Sequence, residues 1–464
     1  MTPTTRRRIR QDRWQRLQRP RTGDRVLLIV TMTFFVLLAL LGGGIVNWTS
    51  AYMLLIIATI ATTGFAAWRD SFTTLARIPA PGRAAVIGIA ILPLLQFVPL
   101  PPAVWQALPG QSLRIATLDL VGAANTWQPL TLDPVATGLS AILAVGFVVL
   151  LSLLMQIDDS GFETMIDAAI GVVAFGILLG ILQVVSDGQF PRLHPIQMGS
   201  VMLGVYANKN HMGLVIACAM MAFGLVSARR FDPRARQWIV AAVSGFALIC
   251  ILTTNSRAGL AFGVLGAIVL FAGVIRRLRW QYWAAGAVVL VAAVIFVISS
   301  TAFDTVSARF SDVDSDLRWK IASWSLPLAG RYWLSGSGAG SYVAVFNPAE
   351  QLTWVKATYV NAAHNDYLQT VIELGVAGLV IVVLLAVSIL RCLPALRSGA
   401  PGDAARHQAL FGMVVIVMFA LHSTVDYPLR RPAAWVFFAL ALAALYRSRA
   451  SDTQSVLMKD EPTC

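Results

Sequence analysis

In the stretch "HNDYLQTVIELGVAGL", His364 stands directly ahead of a long apolar run, in a chain with only five histidines. Asn365 and Asp366 behind it are helix-start residues, Asn as a cap and Asp in the first turn. His364 is therefore expected at or just before a helix N-terminus, where the positive end disfavours an imidazolium and leaves a neutral ring able to accept a proton. A general base is one reading, and a histidine that merely caps a helix is the other. Glu373 lies seven residues beyond Asp366, on the same helix face and roughly 10 Å deeper. An acid inside an apolar run faces a polar cavity or anchors a neighbour, and the anchoring role is the one expected.

Four further polar clusters interrupt apolar stretches. "YANKNHMG" (206–213) supplies Asn208, Lys209, Asn210 and His211, and "TTNSRAGL" (253–260) puts Arg257 in a tight turn. "DSDLRWK" (314–320) carries Arg318, and "HSTVDYPLRRP" (422–432) carries Asp426, Arg430 and Arg431. The cations suit an anionic ligand; the competing reading is snorkelling to lipid head groups. Asp426 is a candidate to orient a catalytic or cationic partner.

What positions these residues follows from composition. The chain of 464 residues is 57% hydrophobic and 13% charged, beyond what a soluble protein of this size carries. Apolar runs of membrane-spanning length are read at 26–44, 50–68, 84–100, 136–155, 165–186, 204–227, 237–254, 258–275, 282–300, 366–390, 408–422 and 433–446, giving an all-α polytopic membrane protein with about 12 spans. Nine arginines precede the first span and no cleavage site follows, so residues 1–25 read as a retained cytoplasmic tail. The expected organisation is spans one to nine over 26–300, an outer loop over 301–365, spans ten to twelve over 366–446, and a cytoplasmic tail over 447–464.

This orientation leaves 25 Lys and Arg on inner segments against 11 outside, five of them in the long outer loop. The bias accounts for the net charge of +13, with inner arginines expected to face anionic lipid. Nucleic-acid binding is a poor reading, because aromatic-interleaved basic motifs are absent. Four cysteines without CxxC spacing suggest neither a disulfide framework nor a zinc site. All five polar clusters fall on the outer side.

Two motifs imitate other sites. "SGSGAGSY" (335–342) lacks the GK[ST] ending of a phosphate loop and reads as a turn. "DVDSD" (312–316) alternates carboxylates like a calcium loop, yet Leu317 replaces the glycine and Ser323 the closing glutamate. Between them, Leu317, Ile321, Trp324 and Leu328 at helical spacing suit either an amphipathic helix on the outer membrane interface or one packed on a small loop core.

Taken together the motifs resemble those of the O-antigen ligase and polymerase superfamily: His-Asn-x-Tyr-Leu with trailing glycines at 364–379, including Asn365 and Tyr367, the Ser-Arg turn at 256–257, the Asn-x-Asn-His segment at 208–211, and "HSTVDYPLRRP". The resemblance runs from about residue 128 ("QPLTLDP") to 432. It implies a bacterial inner-membrane glycosyltransferase of GT-C type, with a periplasmic active site, using an undecaprenyl-diphosphate-linked glycan donor. The implied acceptor is the lipid A-core for a ligase, or another carrier-linked glycan for a polymerase; protein O-oligosaccharyltransferases share the same core. His364 matches the family's catalytic histidine and Arg257 its diphosphate-binding arginine. Lys209 stands where many ligases have arginine and offers a point charge in place of a bidentate fork, so Arg318, Arg430 or Arg431 is expected to share the diphosphate. Asn208, Asn210, His211, Asn365, Tyr367, Glu373 and Asp426 are expected to support the site, with membrane lipids as further partners and no cofactor or metal. A transporter of lipid-linked sugar is the reading from another class, but sites near the midplane and matched half-repeats are not found here. A metal-dependent enzyme using Asp312, Asp314 and Asp316 is the remaining alternative.

Overall fold

The computed structural model describes residues 24–44, 49–190, 201–275, 317–351, 360–396 and 404–459. In chain order its helices are α1 (Arg25–Leu41), α2 (Thr49–Trp68), α3 (Ala80–Leu95), the short α4 (Pro102–Trp105) and α5 (Ser112–Leu120), α6 (Pro134–Gln156), α7 (Asp159–Val185), α8 (Lys209–Arg230), α9 (Pro233–Thr253), α10 (Arg257–Ile275), α11 (Leu317–Tyr332), α12 (Tyr342–Phe346), α13 (Asp366–Leu390), α14 (Ala404–His422) and α15 (Pro432–Lys459). Eight of them are long and apolar enough to cross a membrane, and α1, α3 and the start of α10 are shorter apolar helices. The chain is a multi-pass, all-α membrane protein. Helices cover each expected span within the described residues, with most ends shifted by a few positions, but the last helix continues past the expected end at 446 to Lys459, through much of the expected tail; 282–300 and the carboxylates of 312–316 lie outside the described residues.

In an apolar solvent the backbone must satisfy its own hydrogen bonds, so long apolar runs become helices. Aspartate caps start several of them: the carboxylate of Asp24 accepts from Leu27 N, that of Asp133 from Ala136 N, that of Asp158 from Gly161 N and that of Asp232 from Arg234 and Ala235 N. Helix α8 is buried around nearly its whole circumference and is the centre of the bundle, packed against α7, α9, α10 and α14. The first half of α15 is equally enclosed, between α14, α6 and α1. At the end of the bundle away from the polar clusters, arginines expected to face lipid head groups are instead paired with carboxylates: Arg69 with Asp24, Arg229 with Glu163, Arg230 with Asp167 and Arg447 with Asp159.

The opposite end carries two small folded attachments. Between α3 and α6 the chain turns out through α4 and α5 and closes with a two-residue antiparallel pairing, β1 (Pro99–Leu100) on β2 (Gln128–Pro129). Helix α11 puts Ile321, Leu328 and Tyr332 into a second core with Tyr342, Val345, Phe346, Val360, Ala363 and Ile372, while Trp319 and Leu326 stay exposed on its far side.

Helix α13, which follows His364, is broken at Gly375, where φ is 60° and ψ −151°. The glycine-rich turn lies against this break. Ser337 N donates to Ile372 O at 2.9 Å, Gly338 N to Glu373 O at 3.0 Å, and the Gln96 side chain to the same Glu373 carbonyl at 2.8 Å. A break inside an apolar helix survives because neighbouring donors meet the carbonyls it exposes. A Cβ on Gly375 would sit 2.7 Å from Gly336 N and from Leu334 O. Gly375→Ala is therefore expected to cost about 2 kcal/mol or more, from left-handed strain and overlap. Its melting temperature in detergent should drop clearly, whereas Gly171→Ala, with open space around its Cβ, should melt like the parent chain. Equal melting of the two variants would refute this account.

Candidate functional site

The polar clusters meet around one carboxylate. Asp426 lies in the turn between α14 and α15 and is fully buried. Asn208 Nδ2 donates to both its oxygens at 3.2 Å, Asn210 Nδ2 to Oδ2 at 2.7 Å, and Tyr427 N to Oδ1 at 3.0 Å. Three imidazoles stand just outside this shell: His364 Nδ1 at 3.5 Å, His422 Nε2 at 3.7 Å and His211 Nε2 at 3.8 Å. Arg318 Nη2 completes the ring at 4.0 Å. The imidazole contacts are longer than an ordinary hydrogen bond, and the carboxylate is met directly by the amides of Asn208 and Asn210 and by Tyr427 N.

Burial by itself would raise the Asp426 carboxyl, but the contacts from His364 and His422 and the fields of His211 and His364 outweigh it. The group is held well below the usual carboxylate range. An ionised Asp426 facing Nδ1 of His364 favours the tautomer with its proton on Nδ1, which leaves the Nε2 lone pair available to a substrate. His364 itself sits at φ 50°, in the left-handed region, and its side chain is partly exposed. Strained backbone at a reactive position is a recurrent feature of functional sites.

Each partner is delivered by a helix end. Asn208 is the N-cap of α8, accepting from Asn210 N with its carbonyl oxygen while its amide reaches Asp426. Lys209 follows as the first helical residue and is half-buried. The N-terminus of α10 approaches α8 backbone to backbone: a Cβ on Gly259 would lie 2.8 Å from the Gly213 Cα. That contact lets Ser256 Oγ donate to Asn210 Oδ1 at 2.9 Å, which places exposed Arg257 one residue from a chain of bonds ending on Asp426. Asn365 caps α13 by accepting from Leu368 N and donates its amide to Thr424 O at 3.0 Å. Tyr367 donates to Ala420 O at 2.9 Å. Both fasten α13 to the α14 end that carries His422.

Two of the cations expected at a diphosphate are occupied with other groups. Arg430 pairs with Glu373, and its Nε lies 3.3 Å from Asp366 Oδ1. Asp366 also accepts from Ser423 Oγ and Leu429 N, and Glu373 from Gln369 Nε2 and Tyr342 N. Arg431 is buried, donates to Gly44 O at 3.2 Å and lies 5.3 Å from the Tyr427 ring centre. These two arginines brace the turn that holds Asp426. Of the other three cations, Arg318 lies beside Asp426, Arg257 is exposed next to Ser256, and Lys209 is half-buried between Asn208 and Asn210. Among the described residues, no group of three His, Cys, Asp or Glu is arranged to hold a metal ion.

Several members escape a reading of the sequence. His422 could have been found from its four-residue spacing to Asp426. Tyr427 touches His364 and His211 ring to edge at 5.0 and 5.2 Å, Gln96 reaches from the end of α3 to Glu373 O, and Gln369 ties Ala363 N to Glu373; nothing local marks them.

Residues 240–383 match the family model described as O-antigen ligase. The match supports membership of the O-antigen ligase and polymerase superfamily. No curated protein matches the chain. The family implies glycosyl transfer between a lipid-linked glycan and a glycan acceptor. The ligase segment contains Arg257, Arg318, His364 and Glu373, whereas Asn208, Asn210, His211, His422 and Asp426 lie beyond its limits. Five of these nine residues are thus supplied from outside the matched segment.

Asp426→Asn would set an amide donor against the amides of Asn208 and Asn210, at a cost of about 3 kcal/mol. Because the native carboxyl is depressed, its stabilisation is complete above the ordinary carboxylate range and disappears as pH falls through the lower folded-state value. The melting-temperature gap between parent and Asp426→Asn should be widest near neutrality and narrow in acid. A gap that does not vary with pH would rule out an ionised Asp426.

Proposed function

We propose that the protein is an inner-membrane O-antigen ligase, transferring a glycan from undecaprenyl diphosphate to a hydroxyl of lipid A-core on the periplasmic face. The observation that carries the reading is His364 held against buried Asp426, at the bundle end where Arg257, Lys209 and Arg318 also gather. On this reading the tails 1–25 and 447–464 are cytoplasmic and 301–365 is a periplasmic loop.

His364 Nε2 takes the proton of the acceptor hydroxyl, while Asp426 fixes the ring and stabilises the imidazolium that forms. The hydroxyl oxygen bonds to the anomeric carbon as the bond from that carbon to the diphosphate oxygen breaks. Its electron pair leaves on the diphosphate. Arg257, Lys209 and Arg318 stabilise the growing negative charge, the role that fixed cations fill at a developing anion. A single displacement from the opposite side inverts the anomeric centre. Arg430 and Arg431, with Glu373, serve as braces in this scheme and do not touch the diphosphate. The cations can perform the task of a metal, so transfer is expected to persist in EDTA.

Loss of a positioned general base lowers rate by about 100-fold or more. His364→Ala and Arg257→Ala should each abolish transfer to lipid A-core in reconstituted membranes while the variants remain membrane-inserted, and Lys209→Ala should retain partial activity. Full activity in His364→Ala would remove the base assignment. In a deletion strain, long glycans on the carrier with bare lipid A-core identify a ligase; single repeats on the carrier would identify a polymerase instead.

A further inference from the structure

Residues 101–127, the excursion between α3 and α6, have no part in the chemistry above. They fold inward tightly. Trp105 is fully buried and its indole N–H donates to Thr126 O at 3.0 Å, and Gln106 Nε2 donates to Ala124 O at 2.7 Å. Arg114 donates to Pro129 O at 2.8 Å and to Gln128 Oε1 at 3.0 Å, with its guanidinium carbon 5.3 Å from the Trp105 ring centre. The outer surface is different in kind. Leu113 and Leu120, seven residues apart on α5, lie on one helix face with Ala116 between them. Leu120 is 88% exposed, Val121 74% and Trp127 64%. The only charged residues in 101–127 are Arg114, which is bound inward, and Asp119.

A water-facing excursion with so little charge and so much open apolar surface is unfavourable unless something covers it. The surface continues an apolar stripe on α3, where Ile87, Ile91, Leu94 and Leu95 are exposed, through Val98 and Val104 to α5; it rejoins α6 at exposed Val135. A spanning helix exposes such a stripe to lipid. We propose that the α4–α5 excursion is an interfacial foot whose Leu113, Leu120, Val121 and Trp127 rest in the head-group and acyl boundary of the bilayer leaflet on the side of the Asp426 cluster. Short amphipathic helices with a tryptophan at their margin dock at this depth.

The foot is tied firmly to the cluster. Thr131 N donates to Gln96 O and Leu132 N to Ser337 O, and Ser337 N in turn donates to Ile372 O on the helix that follows His364. The level at which the foot rests therefore sets the height of His364 above the lipid. The importance of that height rests on the proposed function, but the location of the foot does not.

The test uses the full chain with Cys464→Ser, its other three cysteines being buried. Single cysteines replace Leu113, Leu120 or Val121, with exposed Ser160→Cys as the aqueous control. Each is labelled with an NBD fluorophore and placed at one copy per nanodisc of phosphatidylethanolamine and phosphatidylglycerol. Labels at 113, 120 and 121 should be quenched by lipid bearing a nitroxide high on the acyl chain and protected from iodide. The label at 160 should be quenched by iodide. Iodide quenching at all four sites overturns the proposal. Protection seen only with two copies per disc would assign the face to a second copy of the chain. Protection that needs added undecaprenyl-diphosphate glycan would assign it to substrate. Either result also overturns the foot.

Discussion

A carboxylate with no access to water, at one end of a membrane bundle, is the constraint around which the rest of this molecule is arranged. Asp426 cannot remain ionised there without donors and cations in contact with it. They come from α8, from the turn before α13, from the end of α14 and from α11, with α10 joined through Ser256 and Asn210. No two neighbouring helices could provide them all. The requirement therefore works as a tertiary restraint, drawing five helix ends to one point and fixing the angle at which His364 faces outward.

The same logic governs α13. Breaking a spanning helix at Gly375 exposes carbonyls in a region without water, and the glycine-rich turn and Gln96 provide the donors. Glu373 beside the break binds Arg430, Gln369 and Tyr342 N, and Arg430 also contacts Asp366 in the first turn. A carboxylate in an apolar helix here becomes a knot between α13 and the turn that holds Asp426. The break and the cluster are thus mechanically joined, and α13 carries His364 from a fixed pivot.

Charge on the other side of the bundle follows a different rule. The arginines that the sequence reading counts as orienting charges are, in several cases, paired with aspartate or glutamate at neighbouring helix ends. A guanidinium can serve both purposes, because sidedness depends on where it lies and pairing only on what is within reach.

The helical, multi-pass character of the chain was legible residue by residue, because apolar runs of spanning length have one structural solution in lipid. The start of α13 could also be read, since Asn365 and Asp366 are helix-start residues whatever surrounds them. The motifs carried the family resemblance and with it His364, Arg257 and Asp426 as candidates. Which partner each arginine takes was not legible: Arg430 and Arg431 look alike in sequence, and only packing gave one to Glu373 and Asp366 and the other to Gly44 and Tyr427. His422 and Tyr427 stayed hidden for the same reason, as did the bond from Ser256 to Asn210 and the folded excursion at 101–127. Sequence by itself determined local conformation and the inventory of charge, both properties of short segments. Tertiary structure alone decided which charges neutralise one another, because partners such as Asn208 and Asp426 are more than two hundred residues apart and meet only when the bundle closes.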